Sequence, residues 1–384
     1  MDNHFDIAII GLGNAGSHVV LELLSRAENC RIVVIDKFTE DSMHKTWSFW
    51  EKGVGKWDHL LHHSWSKAIF KAPNIYDETN IVPYKYKSIQ SKDFINHALA
   101  LCESYKNVTI VHQNVHLVEQ NNDLATISCE GISIKAKQVF DSRISKEFFL
   151  DKKALGVNQH FRGWFIKVKK AVFNPDEFIM MDYNLVDCDT TSFTYVLPYD
   201  ANTALVEFTY FSNQAVEDSD YDFFLKKYIN EELKIAEYEI TSIEEGSIPM
   251  TNYDFSIHND GKIHKIGTAG GWVKPSTGYS FKSSETKAKQ LVSNYIDGVD
   301  LSHNLFSKKH QLLDSVLLDV IKNDNSKGPK VFTTLYTRHD IKKIFSFLDE
   351  KSTLLDDLKI MNSLISKAFI FGFFRQLLKK FLKK

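Results

Sequence analysis

Two short stretches carry residues whose type and spacing could do chemistry. The first is "ALVEFTYF", residues 204–211, in which a single carboxylate, Glu207, interrupts a run of Leu, Val, Phe and Tyr. Such a run reads as a buried strand. A carboxyl held among apolar groups is costly as an anion, so Glu207 is either salt-bridged or at a strand edge, or is kept protonated by desolvation and able to donate a proton. Strand alternation puts Leu205 and Thr209 on the face of Glu207 and turns Phe208 away.

The second stretch is "GLGNAG", residues 11–16, with Gly11, Gly13 and Gly16 in the G-x-G-x-x-G spacing. A strand-like "FDIAII" precedes it, a helix-like "SHVVLELLSRA" follows, and "RIVVID" then ends on Asp36. In that context Gly11 permits the tight turn, Gly13 admits a pyrophosphate to the backbone, and Gly16 lets helix and strand pack closely. Asp36 is placed to accept hydrogen bonds from an adenosine ribose. Ala15 and Lys37 complete the surface assigned to the cofactor. A second cluster, "KIGTAGGWVKPSTGYSF" (265–281), supplies Gly267, Gly270 and Gly271, then Thr277 and Gly278, with a helix start expected near Pro275–Gly278. A late strand–Gly-rich–helix segment of this kind caps the flavin end of the cofactor in FAD enzymes, which favours FAD over NAD. Lys274 and the Ser276–Thr277–Gly278 turn are expected at the flavin's pyrimidine side.

The elements that must position these groups follow from periodicity. Residues 5–36 form a βαβ unit. Residues 41–75, rich in Trp, His and Lys, read as irregular. Residues 91–105 read as a helix with Ser91 at its N-cap and Asp93 in its first turn. Residues 107–143 read as strands joined by polar turns, 163–250 as a mostly antiparallel sheet, and the chain from about 285 onward as helical. The expected fold class is α/β: a Rossmann-type dinucleotide domain with an inserted antiparallel sheet and a helical C-terminus. The expected parts are a cofactor domain in two segments (1–162 and 255–300), a substrate sheet (163–254) and a C-terminal helical region (301–384).

Composition narrows the class. The 384 residues carry a net charge of −2, which excludes a global nucleic-acid signature. The 28 Phe and 13% aromatic content point to a large apolar core or a large apolar ligand. Cys30, Cys102, Cys129 and Cys188 form no C-x-x-C pair and read as reduced thiols of a cytosolic protein. His59 and His63 lack the Glu of a zinc helix, so no metal is expected. The N-terminus does not read as a signal peptide, and no run reaches the ~18 apolar residues of a spanning helix.

Five blocks in order sharpen this reading: "KTWSFW" (45–50), "QHFRGW" (159–164), "YVLPYDANTALVEFTYFS" (195–212), "GSIPMTNY" (246–253) and "GTAGGWVKPSTGYSF" (267–281). With "LDSVLLDVI" (313–321) and "FLDE" (347–350), they make the chain resemble the bacterial lycopene cyclases over essentially its whole length. The resemblance implies an FAD fold akin to geranylgeranyl reductases and aromatic hydroxylases. It also implies conversion of the acyclic ends of lycopene into β-ionone rings without net redox change, a requirement for reduced FAD, and NADPH as electron donor. Glu207 falls on the acid of the family's Glu-x-Thr block. Many relatives carry a second acid directly after it, where this chain has Phe208.

Proton-initiated cyclisation makes carbocations, which favour aromatic faces. Trp47, Phe49, Trp50, Trp164, Trp272, Phe208 and Tyr210 are the candidates. Trp47 ranks first, beside the ribose-binding strand, whereas Phe208 and Tyr210 are expected to pack. The final base stays open between Glu207 and a water. A flavin-dependent polyprenyl or carotenoid oxidoreductase is the alternative activity. At the C-terminus, Phe371, Phe374, Leu378 and Phe381 recur at helical spacing with Ile370 and Leu377 beside them. Lys359, Lys367, Arg375, Lys379, Lys380, Lys383 and Lys384 surround the stripe, and no acid does. A basic amphipathic helix of this kind lies in a bilayer interface. The expectation is therefore a cytoplasmic protein held peripherally on the membrane surface, where lycopene and other acyclic carotenoids dissolve.

Overall fold

The βαβ unit forms as its pattern demands. Strand β1 (His4–Ile10) runs through the glycine turn into helix α1 (Asn14–Arg26) and returns as β2 (Ile32–Asp36). The computed structural model describes residues 4–27, 29–39, 44–121, 123–214 and 216–382. β2 pairs in parallel with β1 and with β8 (Val108–His112), and β1 pairs in parallel with β11 (Ile132–Asp141). β11 is long enough to serve three neighbours. Its first half pairs antiparallel with β10 (Leu124–Cys129), which in turn pairs with β9 (Val115–Asn121). Its last residues pair in parallel with β17 (Ile263–Lys265). The near-continuous apolar runs of β1 and β2 follow from burial on both faces, one of them under α1 and α2 (Ser91–Ser104).

The described part of 41–75 is not irregular. It carries β3 (Thr46–Lys52), β4 (Leu61–Trp65) and β5 (Lys67–Ala72), and β6 (Ile75–Asn80) begins at its end. β3 and β4 flank β7 (Tyr84–Gln90) in a three-stranded sheet, and β5 and β6 join the large second sheet. The polar residues that disguised these strands lie mostly on solvent-facing positions or in pairs such as Lys67–Glu78. Ser91 opens α2 but does not cap it: its Oγ accepts from the Lys45 N–H instead.

The second sheet runs in the order β16 (Glu239–Thr251), β12 (Gly156–Lys167), β15 (Thr203–Ser212), β14 (Ser192–Pro198), β13 (Glu177–Asp182), β5, β6. It is antiparallel except where β13 meets β5. After a short helix, α3 (Lys146–Leu150), β12 begins before residue 163, so the sheet reaches back into the segment assigned to the cofactor. Between β15 and β16 the chain inserts a helix the pattern did not suggest, α4 (Asp218–Glu231), with Tyr221, Leu225, Tyr228 and Ile229 packed on one face of the sheet. The β14–β15 turn is held by Asp200, whose carboxylate accepts from the Asn202 and Thr203 N–H groups at 2.6 and 2.7 Å and from the Thr203 hydroxyl at 2.8 Å.

The opposite face of the sheet is covered by helices after β17. α5 (Phe281–Ile296) starts a turn later than expected and packs on α1. α6 (Lys308–Asn323), α7 (Gly328–Arg338), α8 (Ile341–Leu348), α9 (Leu354–Ser363) and α10 (Lys367–Leu382) close the chain. No described helix is long and apolar enough to cross a membrane.

Candidate active site

The glycine turn has three distinct glycines. Gly11 sits at φ 87°, and a Cβ there would strike Ser142. A Cβ at Gly16 would collide with the Gly11 carbonyl, so helix and strand could not approach. A Cβ at Gly13 would meet nothing within 4 Å, leaving the space a pyrophosphate needs at the helix N-terminus. Asp36 secures the turn: its carboxylate accepts from the Leu12 N–H at 2.5 Å and from the Phe38 N–H at 2.7 Å. Lys37 follows, exposed. The second glycine cluster lies against the first. A Cβ at Gly267 would stand 3.0 Å from that of Ala15, and the Asn14 amide reaches Ser280 and Ser284 at 3.3 Å. Gly270 packs on the Lys265 carbonyl, and Gly271 turns the chain at φ 70°. These residues fit a dinucleotide laid across both clusters.

Beyond the glycines lies a cavity of about 880 Å³ between the second sheet and helices α6–α10. Trp47, Ser276, Thr277 and Gly278 line it at the cofactor end, and Glu207 lines it from the sheet. Trp47 stands alone among the aromatic candidates on this wall. Phe49, Trp50, Trp164 and Trp272 are buried in the cores. Phe208 stacks on Phe224 at 4.6 Å beneath α4, and Tyr210 packs on the same side. The alternation along β15 is therefore as expected, with Leu205, Glu207, Thr209 and Phe211 on the cavity side.

Glu207 is only 8% exposed. Its Oε1 accepts from the Thr209 hydroxyl at 2.7 Å. Burial pushes its carboxyl up to about 8; the Thr209 hydroxyl opposes that and the nearby Glu244 adds to it. The acid is thus protonated at neutral pH. Its cross-strand partner is Tyr195, whose hydroxyl lies 2.7 Å from that of Tyr86, which in turn lies 2.7 Å from that of Tyr279. These three tyrosines line the cavity around the acid and offer π faces to a cation. Sequence reasoning passed over them, although Tyr195 and Tyr279 stand inside two of the five blocks.

Lys274 also lines the cavity, but its ammonium is taken up by Asp314 at 3.0 Å and Glu350 at 2.8 Å. The acids of the last two sequence blocks thereby acquire purposes. Asp349 accepts from the Trp50 indole at 2.8 Å, and Asp319 receives Arg375 and Gln376 of α10. α10 is consequently docked on α6 through polar groups. Its apolar side chains Phe371, Phe374 and Leu378 remain 56–61% exposed, and Leu354, Leu355 and Leu358 of α9 are exposed as well. Ile370, Phe373 and Phe374 also line the cavity, so the apolar rim and the acid belong to one space. Lys383 and Lys384 lie outside the described residues, as do the side chains of Lys380 and Phe381. His59 sits on a short 3-10 turn and His63 on β4, and no group among the described residues could hold a metal ion. All four cysteines are free.

This architecture is that of the FAD-dependent oxidoreductase fold. It superposes on a geranylgeranyl bacteriochlorophyll reductase-like protein from Thermoplasma acidophilum with a TM-score of 0.64 at 13% identity, covering 95% of this chain and 98% of that one. A flavoprotein/dehydrogenase from Cytophaga hutchinsonii gives 0.61 at 13% identity (94% and 99% covered), and the halogenase PltM in complex with phloroglucinol and FAD gives 0.61 at 10% (94% and 85%). The chain belongs to the lycopene cyclase family, whose model, described as lycopene cyclase protein, matches residues 6–375. It is 22% identical to the lycopene beta-cyclase of Pantoea ananas over 312 residues, 76% of this chain and 75% of that protein.

Proposed function

We propose that this chain is a lycopene β-cyclase that closes the acyclic ends of lycopene into β-ionone rings, giving γ-carotene and β-carotene, by a proton-initiated reaction without net redox change. The observation that carries this reading is Glu207, a carboxyl held protonated by burial at the inner wall of a long apolar cavity in a chain of this family. Glu207 donates its proton to the terminal double bond of a carotenoid end group. The tertiary cation is then attacked by the neighbouring alkene, and loss of a proton completes the ring. Tyr195, Tyr86, Tyr279 and Trp47 face the transient charge. Gly11, Gly13, Ala15, Gly16, Asp36 and Lys37 would hold the adenosine and pyrophosphate of FAD. Trp47, Gly267, Gly270, Gly271, Thr277 and Gly278 would hold its flavin end. Reduced FAD, with NADPH as electron donor, would supply negative charge beside the cation.

Residues 1–162 and 255–300 would thus serve the cofactor, 163–254 the substrate, and 301–384 the route by which substrate arrives. The exposed apolar side chains of α9 and α10, with Lys359, Lys367 and Lys379 around them, would rest in the interface of the membrane on its cytoplasmic side and open the cavity to dissolved carotenoid. A second reading, a flavin-dependent polyprenyl or carotenoid oxidoreductase, draws on the fold shared with a reductase-like protein. Anaerobic incubation with lycopene and reduced FAD separates the two. A product of unchanged mass with the absorption of a ring-terminated carotene supports the cyclase. A product that has gained hydrogen or oxygen sinks it.

A further inference from the structure

The pairing register of the second sheet brings together residues that are far apart in sequence. Tyr195 on β14, Glu207 on β15, Gly163 on β12 and Glu244 on β16 lie directly opposite one another in a single row across four strands. Directly opposed residues share a face. Two carboxyls therefore flank Gly163 on the cavity side, their backbones about 10 Å apart at the usual strand spacing. Gly163 leaves the gap between them open, since any side chain there would meet Leu205 at 2.8 Å and the Glu207 Cβ at 3.3 Å.

Glu244 lines the cavity and is 9% exposed. Its Oε1 accepts from the Thr46 N–H at 2.9 Å. Its Oε2 is buried and has no hydrogen-bond partner among the described residues. The adjacent Glu245 is half exposed and pairs with Arg162, which also holds Asp218 and Asp222. Of the two neighbouring acids, the buried one makes no salt bridge within 4 Å among the described residues, Lys45 acting on it only from farther off.

We propose that Glu244 is the second carboxyl of the reaction, the base that removes the final proton and so decides where the ring double bond falls. This assignment rests on the cyclase reading above. Cyclisation requires two proton transfers at different carbons. The Glu207 O–H bond breaks as a C–H bond forms on the terminal alkene. The electron pair of the second alkene then forms the ring bond, and the charge moves to a ring carbon. The C–H bond beside that carbon breaks, its electrons become the ring double bond, and the proton goes to Glu244 Oε2. The carbon that gains a proton and the carbon that loses one flank the carbon that bore the first charge. Two carboxyls on one face of the sheet, with only the bare Gly163 between them, are placed to serve the two carbons separately. Transfer of the proton from Glu244 back to Glu207 restores the resting state, so no proton is consumed.

The environments suit this division. Burial raises both acids, but the Thr46 N–H and the Lys45 charge draw Glu244 back toward its ionised form, while Glu244 itself drives Glu207 further up. Glu244 also answers the question posed by Phe208. The second acid that relatives often place next along the strand is provided here from two strands away.

The test compares Glu244→Gln, Glu244→Asp and Glu207→Gln with the wild-type holoenzyme on lycopene with reduced FAD. It reads turnover, the position of the ring double bond and flavin binding. Glu244→Gln is expected to bind flavin normally, to lose at least about tenfold in turnover, and to release rings whose double bond lies elsewhere, because the stranded cation loses its proton to another acceptor. Glu244→Asp is expected to restore the wild-type ring. Undiminished turnover in Glu244→Gln overturns the assignment. So does a fall in both Glu244 variants with the ring ratio unchanged, the mark of a structural role. If wild type yields no cyclised carotene, the cyclase reading fails with it. If wild type cyclises and only Glu207→Gln stops it, Glu244 alone is excluded.

Discussion

The two ends of the cavity are built from opposite materials. At the inner end, strands hold a row of polar groups at fixed spacing within aromatic walls, and Glu207 is nearly sealed from water. At the outer end, α9 and α10 present loosely spaced apolar side chains, more than half exposed, and use their polar groups for docking on α6. A strand lattice fixes where each side chain stands. A helix rim tolerates variation in what it touches, because apolar contact carries no direction. The inner end should therefore respond to single-atom changes in rate, and the outer end to larger changes in access.

The largest expected effect is at the inner end. Glu207→Gln keeps shape but removes the donated proton, and should lower kcat by about 10²–10⁴-fold while leaving flavin absorbance and binding intact. A variant with near wild-type turnover would break the comparison at its strong end. The pH profile comes next. With the Glu207 carboxyl at about 8, kcat/KM should fall about tenfold per pH unit above that value, and should fall again in acid as Glu244, the proposed base, is protonated. Stability follows the same group. Its folded value lies above the ordinary 4.5, so its contribution is fully present below 4.5 and is lost as pH rises through about 8. In denaturant titrations Glu207→Gln should flatten that decline. The smallest effect belongs to the rim. Phe371→Ser, Phe374→Ser and Leu378→Ser together should weaken vesicle partitioning by about tenfold or more. KM for vesicle-borne lycopene should rise more than KM for detergent-dispersed substrate. Equal flotation of wild type and triple variant would remove the rim's assigned purpose.

The parts legible in sequence were those whose information is local. The glycine turn, Asp36 and the alternation around Glu207 each lie within one element or one βαβ unit. What escaped depends on pairing. Glu244 sits 37 positions from Glu207 beside a second Glu of the same type, and only the register of β12 with both neighbours separates the buried acid from the exposed one. Residues 46–72 hid their strands because Lys, His and Ser alternate there with Trp and Phe, a pattern that hydrophobic periodicity reads weakly. α4 was missed because half of its buried face is Tyr and its first turn is acidic, so it resembles a polar connection between strands.

The Asp200 turn has a consequence for parity. Side chains along β15 alternate between the cavity and α4, so Leu205, Glu207, Thr209 and Phe211 line the cavity and the even-numbered positions pack. Adding or removing one residue between Pro198 and Thr203 would exchange the two sets. Phe208 would then face the carotenoid and Glu207 would be driven against α4. Three hydrogen bonds to one carboxylate thus keep count for the active site from a turn that does not line its cavity.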